Sequence, residues 1–385
     1  MPDTDTGVPG LTPGHAWIVP RMGLPRVCAK RAEDGDVTVA FLGGSITEGA
    51  GASAADETSW RALTGKYLRK RLDGRLLRCI NAGVGGTDST LGAHRLREHV
   101  LREGQVDLLF VEFSVNDGED REESLRGMEG IVRQCRRLSP ATDLCFIYTG
   151  AEKNLTSLRP FNIAVHEEVA EHYGIPSINF AAGVYGLIQE GRVEWGDLAP
   201  DGYHPNDEGH ALYARFLREY LDAALFAGES PVSSGQIPKL PGEPLIAGSY
   251  EHAAMLIYEA ADYSEHFRIR KLRPNEPLMN WRYSTEHVFA EASGAGLTFQ
   301  VEGRGAGMLL LCGPDTGILE YSVNGAPYVA VNPFDDWCIG AYRPVPVLFP
   351  ALEHHGELQV TVRNTGRKDE RSKGTGLRIL KLLTS

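Results

Sequence analysis

Between residues 37 and 226 short apolar runs alternate with stretches of helical periodicity, and this alternation limits the fold more than any other feature of the chain. Val37-Thr-Val-Ala-Phe-Leu-Gly-Gly-Ser45 reads as a buried strand that runs into glycines and a serine. Glu57 to Leu72 then sets Trp60, Leu63, Tyr67 and Leu68 at helical spacing, and Leu76 to Asn81 reads as the next strand. Leu91 to Leu101 is helical in pattern, while Val106 to Phe113 is apolar almost throughout, as expected of a strand covered by helices on both faces. The series continues with a helix over Arg121 to Leu138, a strand over Asp143 to Tyr148, a helix over Ser157 to Tyr173, a short strand over Pro176 to Phe180 and a helix over Asn206 to Phe226. Such a series predicts a parallel sheet between two helical layers, with ligands bound at the carboxyl ends of its strands. Ser45, Gly86 and Asn116 each follow a predicted strand and so fall at that end of the sheet.

The pattern changes after residue 226. Ala227-Gly-Glu-Ser-Pro-Val-Ser-Ser-Gly-Gln-Ile-Pro-Lys-Leu-Pro-Gly-Glu-Pro is too rich in turn residues for helix or central strand and reads as a linker. Beyond it come short strand patterns at Leu297 to Val301, Met308 to Leu311, Ile318 to Val323, Tyr328 to Val331, Leu358 to Val362 and Leu377 to Leu382, with an Asn324-Gly hairpin signal. Repeated short strands separated by turns predict an antiparallel sandwich. The expected organisation is an α/β/α domain over 1–228 with an N-terminal extension over 1–35, a linker over 229–246 and a β-sandwich over 247–385. A chain of 385 residues has room for these two cores at roughly 150 residues per domain.

A formal net charge of -12 argues against a polyanion-binding surface, so nucleic acid is not an expected partner. No run approaches the roughly 18 apolar residues of a membrane span, and the first residues carry no secretory pattern; the expectation is a cytoplasmic protein that meets no membrane. The six cysteines, at 28, 79, 135, 145, 312 and 338, form no Cys-x-x-Cys pair and read as reduced thiols.

Four segments carry chemistry. A serine hydroxyl needs a base to take its proton, and that base needs a group to hold its tautomer. Asp201-Gly-Tyr-His204-Pro supplies both, three residues apart, with Pro205 keeping His204 out of a helix and Asn206 placed to cap the helix that follows. An acyl-transfer intermediate also needs donors for its oxyanion, and the candidates are the N–H groups of Ser45 and Gly86 and the amide of Asn116. Taken alone, Asp-x-x-His-Pro also fits a capped helix start, Gly85-Gly86 an ordinary turn and Asn116-Asp117 a helix cap.

In combination and order, Gly43-Gly-Ser45-Ile-Thr, Asn81-Ala-Gly-Val-Gly-Gly86, Val111-Glu-Phe-Ser-Val-Asn116-Asp and Asp201-Gly-Tyr-His204 resemble the SGNH hydrolases of the GDSL esterase and lipase superfamily. The resemblance spans about residues 20 to 226. It implies a flavodoxin-like three-layer α/β/α domain, with Ser45 as nucleophile and His204, oriented by Asp201, as base. Ser45, Gly86 and Asn116 would form the oxyanion hole. Two positions depart from the family pattern. Gly44 stands where the family has aspartate, as in a Gly-Gly-Ser-Ile-Thr subgroup, and is expected to loosen the nucleophile turn. Ser114 stands where glycine is usual.

Other residues bear on the site less directly. Asp88 and Glu112 lie near it by motif position, as substrate contacts or as structural hydrogen-bonding groups. Trp281, Tyr283, Tyr328, Phe334 and Trp337 could line a sugar platform or simply fill a β core. His94, His99, His166, His172, His210, His354 and His355 fall into no metal constellation. The reading that follows is a serine esterase with no metal or cofactor, removing a short acyl group, acetyl foremost, from a small-molecule or carbohydrate ester. The carbohydrate part rests on family tendency and the appended β domain. Alternatives are a lipase, thioesterase or acyltransferase of the same superfamily, or a carbohydrate-binding or assembly protein with a vestigial hydrolase domain; homo-oligomerisation stays open.

Overall fold

The computed structural model describes residues 17–33, 35–72, 76–226 and 242–385. Its first sheet contains β1 (Ile18–Val19), β2 (Val37–Gly43), β3 (Leu77–Gly83), β4 (Leu108–Glu112), β5 (Asp143–Tyr148) and β6 (Ser177–Asn179), in the order β1-β6-β5-β4-β2-β3. Strands β2 to β6 are parallel, and β1 closes one edge antiparallel to β6, Ile18 opposite Ile178. Counted from β2, the parallel strands follow the doubly wound, flavodoxin-like order. The strand order reverses between β2 and β4, which opens a crevice at their carboxyl ends.

The helices are α1 (Pro25–Ala32), α2 (Ser45–Glu48), α3 (Trp60–Arg71), α4 (Ser89–His99), α5 (Arg121–Leu138), α6 (Phe161–Tyr173), α7 (Phe180–Gln189), α8 (Trp195–Leu198) and α9 (Asp207–Leu221). Alternate residues of β2 serve two cores. Val37, Val39 and Phe41 pack with Trp60, Phe180 and Phe216 on one face, while Ala40 and Leu42 pack with Leu96, Met128 and Ile131 on the other. That double cover is why the strands read as continuous apolar runs. Ser59, Asp88, Asp120 and Asn206 cap the helices that follow them by accepting backbone N–H bonds.

Helix α1 has Leu24 at its start and no side-chain cap of its own. Asp143 of β5 takes that place, its Oδ2 accepting the N–H groups of Arg26 at 2.8 Å and Val27 at 2.9 Å. Burial pushes the Asp143 carboxyl up to about 6 despite those two bonds. An unfolded aspartate titrates near 3.9, so between roughly pH 4 and 6 the folded state holds more protons and this group's contribution to stability falls as pH rises. Asp143→Asn should therefore gain on wild type by about 1–3 kcal/mol between pH 4 and pH 7. Denaturant titrations of both proteins at the two pH values check this, and a difference that does not change with pH would contradict it.

Sequence pattern alone did not register β1, α1, α7 or α8. The expected N-terminal extension lies outside the described residues for 1–16 and 34, but residues 17–33 supply the edge strand and α1, which belong to the sheet domain.

The second region holds β7 (Ala254–Ile257), β8 (Ala261–Tyr263), β9 (Arg268–Arg270), β10 (His287–Ala290), β11 (Gly296–Gly303), β12 (Ala306–Cys312), β13 (Gly317–Val323), β14 (Val329–Val331), β15 (Arg343–Leu348), β16 (Gly356–Lys368) and β17 (Leu377–Thr384). One antiparallel sheet runs β15-β12-β17-β10-β9 with β7 also against β17, and the other β14-β13-β16-β11-β8. Phe299, Met308, Leu310, Leu319, Val360 and Ile379 fill the space between them. Asn324 and Gly325 both take left-handed angles, φ 51° and 75°, in the turn after β13, as the hairpin signal requires. Pro344 and Pro346 sit in β15, at a sheet edge where no ladder donor is missed.

Strand β12 is buried along its whole length because it has two covers. Met308 and Leu310 face the sandwich core, whereas Leu309 and Leu311, with Leu380 and Leu383 of β17, pack on Val84 and Leu91 of the α/β domain. The His99 ring stacks on Tyr283 with centroids 3.5 Å apart, and Lys381 Nζ donates to Glu98 at 2.9 Å. The expected linker falls outside the described residues up to 241. At its end, the N–H groups of Leu245 and Ile246 donate to the Glu129 carboxylate of α5 at 2.6 and 3.0 Å. Among the described residues, no helix is long and apolar enough to cross a membrane.

Candidate active site

Strand β2 ends at Gly43, and Ser45 opens α2 two residues later. Gly44 is extended (φ -83°, ψ -152°), which turns the chain sharply enough to present Ser45 at the sheet's carboxyl edge. A Cβ on Gly44 would run into Asn116 Oδ1, and one on Gly43 into Thr47 Oγ1. The glycine at 44 leaves room for the Asn116 side chain to lie against the turn.

The histidine loop approaches from the start of α9. His204 Nε2 lies 2.8 Å from Ser45 Oγ, and His204 Nδ1 lies 2.7 Å from Asp201 Oδ2. Asp201 Oδ1 accepts the N–H groups of His204 at 2.7 Å and Tyr203 at 3.1 Å, so one carboxylate holds both ring and backbone. Partial burial pushes Asp201 up, but those N–H groups and the imidazole outweigh it and hold the carboxyl below its usual range. Gly202, at φ +88°, makes the short turn between them possible. On the other side Gly51, at φ +87°, abuts the Pro205 carbonyl so closely that any side chain would push the two loops apart. His210 fastens them again: its Nε2 donates to Ala50 O at 3.0 Å and its Nδ1 accepts from Trp60 N at 3.2 Å. Burial pushes His210 down to about 4, so it stays neutral and structural at ordinary pH.

Gly86, at φ +69° and exposed, follows β3, and the half-buried Asn116 follows β4. Both face the same opening as Ser45 and His204, a pocket of about 700 Å³. The five residues singled out from sequence, separated by up to 159 positions, thus lie together at the switch between β2 and β4. An ester carbonyl attacked by Ser45 Oγ would develop its oxyanion in the pocket that Gly86 and Asn116 also line, and the adjacent imidazole could take and return one proton.

Apart from Trp337, sequence pattern missed the far wall of this pocket, which comes from the β region. Met279, Asn280, Trp337 and Arg343 line it. Asn280 Nδ2 and Arg343 Nη2 stand 3.3 and 3.8 Å from where a Cβ on Gly86 would sit. Arg282 Nη2 reaches Glu48 Oε1 at 3.3 Å, and Glu48 Oε2 accepts the Gly85 N–H at 2.8 Å. Of the five aromatics weighed from sequence, Trp281 and Phe334 are buried and Tyr283 stacks on His99, whereas Trp337 is 61% exposed and the only one of the five lining this pocket. Asp88 caps α4 through the Leu91 N–H, and Glu112 is buried beneath the site; neither lines the pocket.

Two comparisons with known proteins find relatives of this arrangement. Two crystal structures of a two-domain esterase (CEX) described as active on acetylated mannans superpose over nearly the whole chain. The one co-crystallised with mannopentaose gives a TM-score of 0.79 at 24% identity, covering 96% of each chain. The other gives a TM-score of 0.77 at 24% identity, covering 96% of this chain and 97% of that one. At that identity the likeness establishes a common two-part fold. No curated protein matches in sequence. Residues 41–212, the stretch that carries Ser45, Gly86, Asn116, Asp201 and His204, match the model of the GDSL-like lipase/acylhydrolase family.

Proposed function

We propose that the protein is a serine esterase that hydrolyses short-chain acyl esters, acetyl foremost, on a carbohydrate. The observation that carries this reading is the unbroken chain from Ser45 Oγ through His204 to Asp201, opening onto a pocket with an exposed tryptophan on its far wall. In the first half-reaction His204 Nε2 takes the Ser45 proton as Oγ attacks the ester carbonyl. The Ser45 and Gly86 N–H groups and the Asn116 amide hold the oxyanion, and His204 then returns the proton to the departing sugar oxygen. Water repeats the cycle on the acetyl-Ser45 ester and releases acetate. Asp201 stabilises the imidazolium in both halves.

The substrate class draws on two supports. Trp337 and Tyr203, 61% and 41% exposed, line the pocket and offer apolar ring faces to a sugar. The two-domain relative of the same architecture is described as active on acetylated mannans. In this reading residues 1–228 carry the chemistry and 247–385 supply the wall that faces the sugar. Initial rates on p-nitrophenyl esters from acetate to decanoate test the acyl preference. We expect kcat/KM to be highest on acetate and at least about tenfold lower by octanoate, since even one misplaced methylene costs about 1 kcal/mol or more in a fitted site. A maximum at octanoate or beyond would favour a lipase instead.

A further inference from the structure

Two fully buried charged side chains outside the triad lie at the nucleophile turn. Arg95 of α4 and Glu112 of β4 are 0% and 1% exposed, and among the described residues neither has an ionic partner within hydrogen-bond reach. Arg95 Nη2 donates to Gly43 O at 2.8 Å, its Nη1 donates to Ala82 O, and its guanidinium lies over the Phe113 ring. Glu112 accepts from Thr47 Oγ1 at 2.9 Å and Thr149 Oγ1 at 2.7 Å, and its carboxyl lies near the Gly44 N–H. The Gly43 carbonyl is therefore held by the Arg95 guanidinium, while the Glu112 carboxyl lies near the Gly44 N–H and holds Thr47, two residues after Ser45.

We propose that Arg95 and Glu112 are positioning residues for the nucleophile, Arg95 holding the Gly43 carbonyl before Ser45 and Glu112 holding Thr47 after it, and so fixing the direction in which Ser45 is presented. A peptide unit carries a dipole of about 3.5 D, and here its negative end points to the guanidinium and its positive end lies near the carboxyl. In a dry interior such charge-assisted bonds are stiff, and a buried charge left without its partner is costly, so the peptide has one favourable orientation. Burial pushes Arg95 down only to about 10, so it stays charged at neutral pH. Burial also pushes Glu112 up, opposed by the two threonine hydroxyls and the Gly44 N–H. The two glycines complete the device, because a side chain on either would strike Thr47 or Asn116. Thr47, within the short helix α2, extends the grip to the element that carries Ser45.

The inference rests on the reading of Ser45 as nucleophile, and a phosphonylating serine reagent separates the two. A p-nitrophenyl phosphonate counts competent sites by its burst and measures their reactivity independently of the natural substrate. Glu112→Gln puts an amide donor against a set of donors. We expect its kcat on p-nitrophenyl acetate, per titrated site, to fall by about 10- to 100-fold with KM within about threefold, the size expected of a misaimed reacting group. Phosphonylation should slow in proportion, and Arg95→Lys should show a smaller loss of the same kind. A role confined to folding would instead lower Tm and the number of titrated sites while leaving kcat per site unchanged. If Glu112→Gln does not fold, Thr47→Val, which only removes one donor, should still lower kcat per site by about threefold or more, with Thr47→Ser restoring it. A kcat per site within about twofold of wild type in folded Glu112→Gln, or in Thr47→Val in its place, overturns the inference. Wild type that fails to react with the phosphonate overturns the reading of Ser45 and the inference with it.

Discussion

Ser45→Ala should lower kcat/KM on acetyl esters by about 10⁴- to 10⁶-fold and leave Tm within a few degrees of wild type. The loss is large because the other groups lose the atom they act on: His204 has no proton to take, and the oxyanion donors have no adduct to hold. Stability should change little, since the Ser45 hydroxyl is half-buried and meets His204 rather than a core. Its backbone N–H and the α2 turn survive the substitution. Initial rates with p-nitrophenyl acetate, alongside thermal melts, check both halves. Activity within about tenfold of wild type would place the nucleophile elsewhere.

Asn116→Ala should lower kcat by about 10²- to 10³-fold with little change in KM, because an oxyanion donor acts on charge present in the transition state and not in the bound ester. The shorter alanine side chain would still leave Gly44 uncrowded, so the nucleophile turn should keep its geometry and the loss should report the missing amide. Steady-state kcat and KM determined separately are the check. An unchanged kcat with a raised KM would make Asn116 a ground-state contact instead.

The readable parts of this molecule are those that local chemistry dictates. Strands β2 and β4 show as apolar runs because each is covered on both faces, and the hairpin after β13 shows because only residues such as Asn324 and Gly325 take its angles readily. Ser45, Gly86, Asn116 and the Asp201–His204 pair could be picked out because each stands in a short segment whose backbone must turn at a strand or helix end. Helix α7 escaped notice because Phe180-Ala-Ala-Gly-Val-Tyr-Gly carries two glycines and follows β6 without a break. Strand β15 was hidden by two prolines that only an edge position tolerates.

Apart from Trp337, the far wall of the pocket was unreadable for a different reason. Asn280 and Arg343 share a pocket with Ser45 because β12 and β17 lay one face on Val84 and Leu91, a contact between segments far apart in the chain. One trace of it did exist in the sequence. Met308-Leu-Leu-Leu311 is apolar at every position, whereas an antiparallel strand with one wet face alternates. Such a run in a predicted sandwich signals a second cover, and here the second cover is the α/β domain.

That cover bears on substrate choice, because a sugar held against Trp337 would present its acetyl group to Ser45. The most direct test is acetate release from acetylated manno-oligosaccharides, followed by NMR with wild type and Ser45→Ala in parallel. The account predicts loss of sugar acetyl signals with wild type, at a kcat/KM above that for p-nitrophenyl acetate, and none with Ser45→Ala. Sugar acetyl signals that persist with wild type, while long-chain p-nitrophenyl esters are turned over, would contradict it.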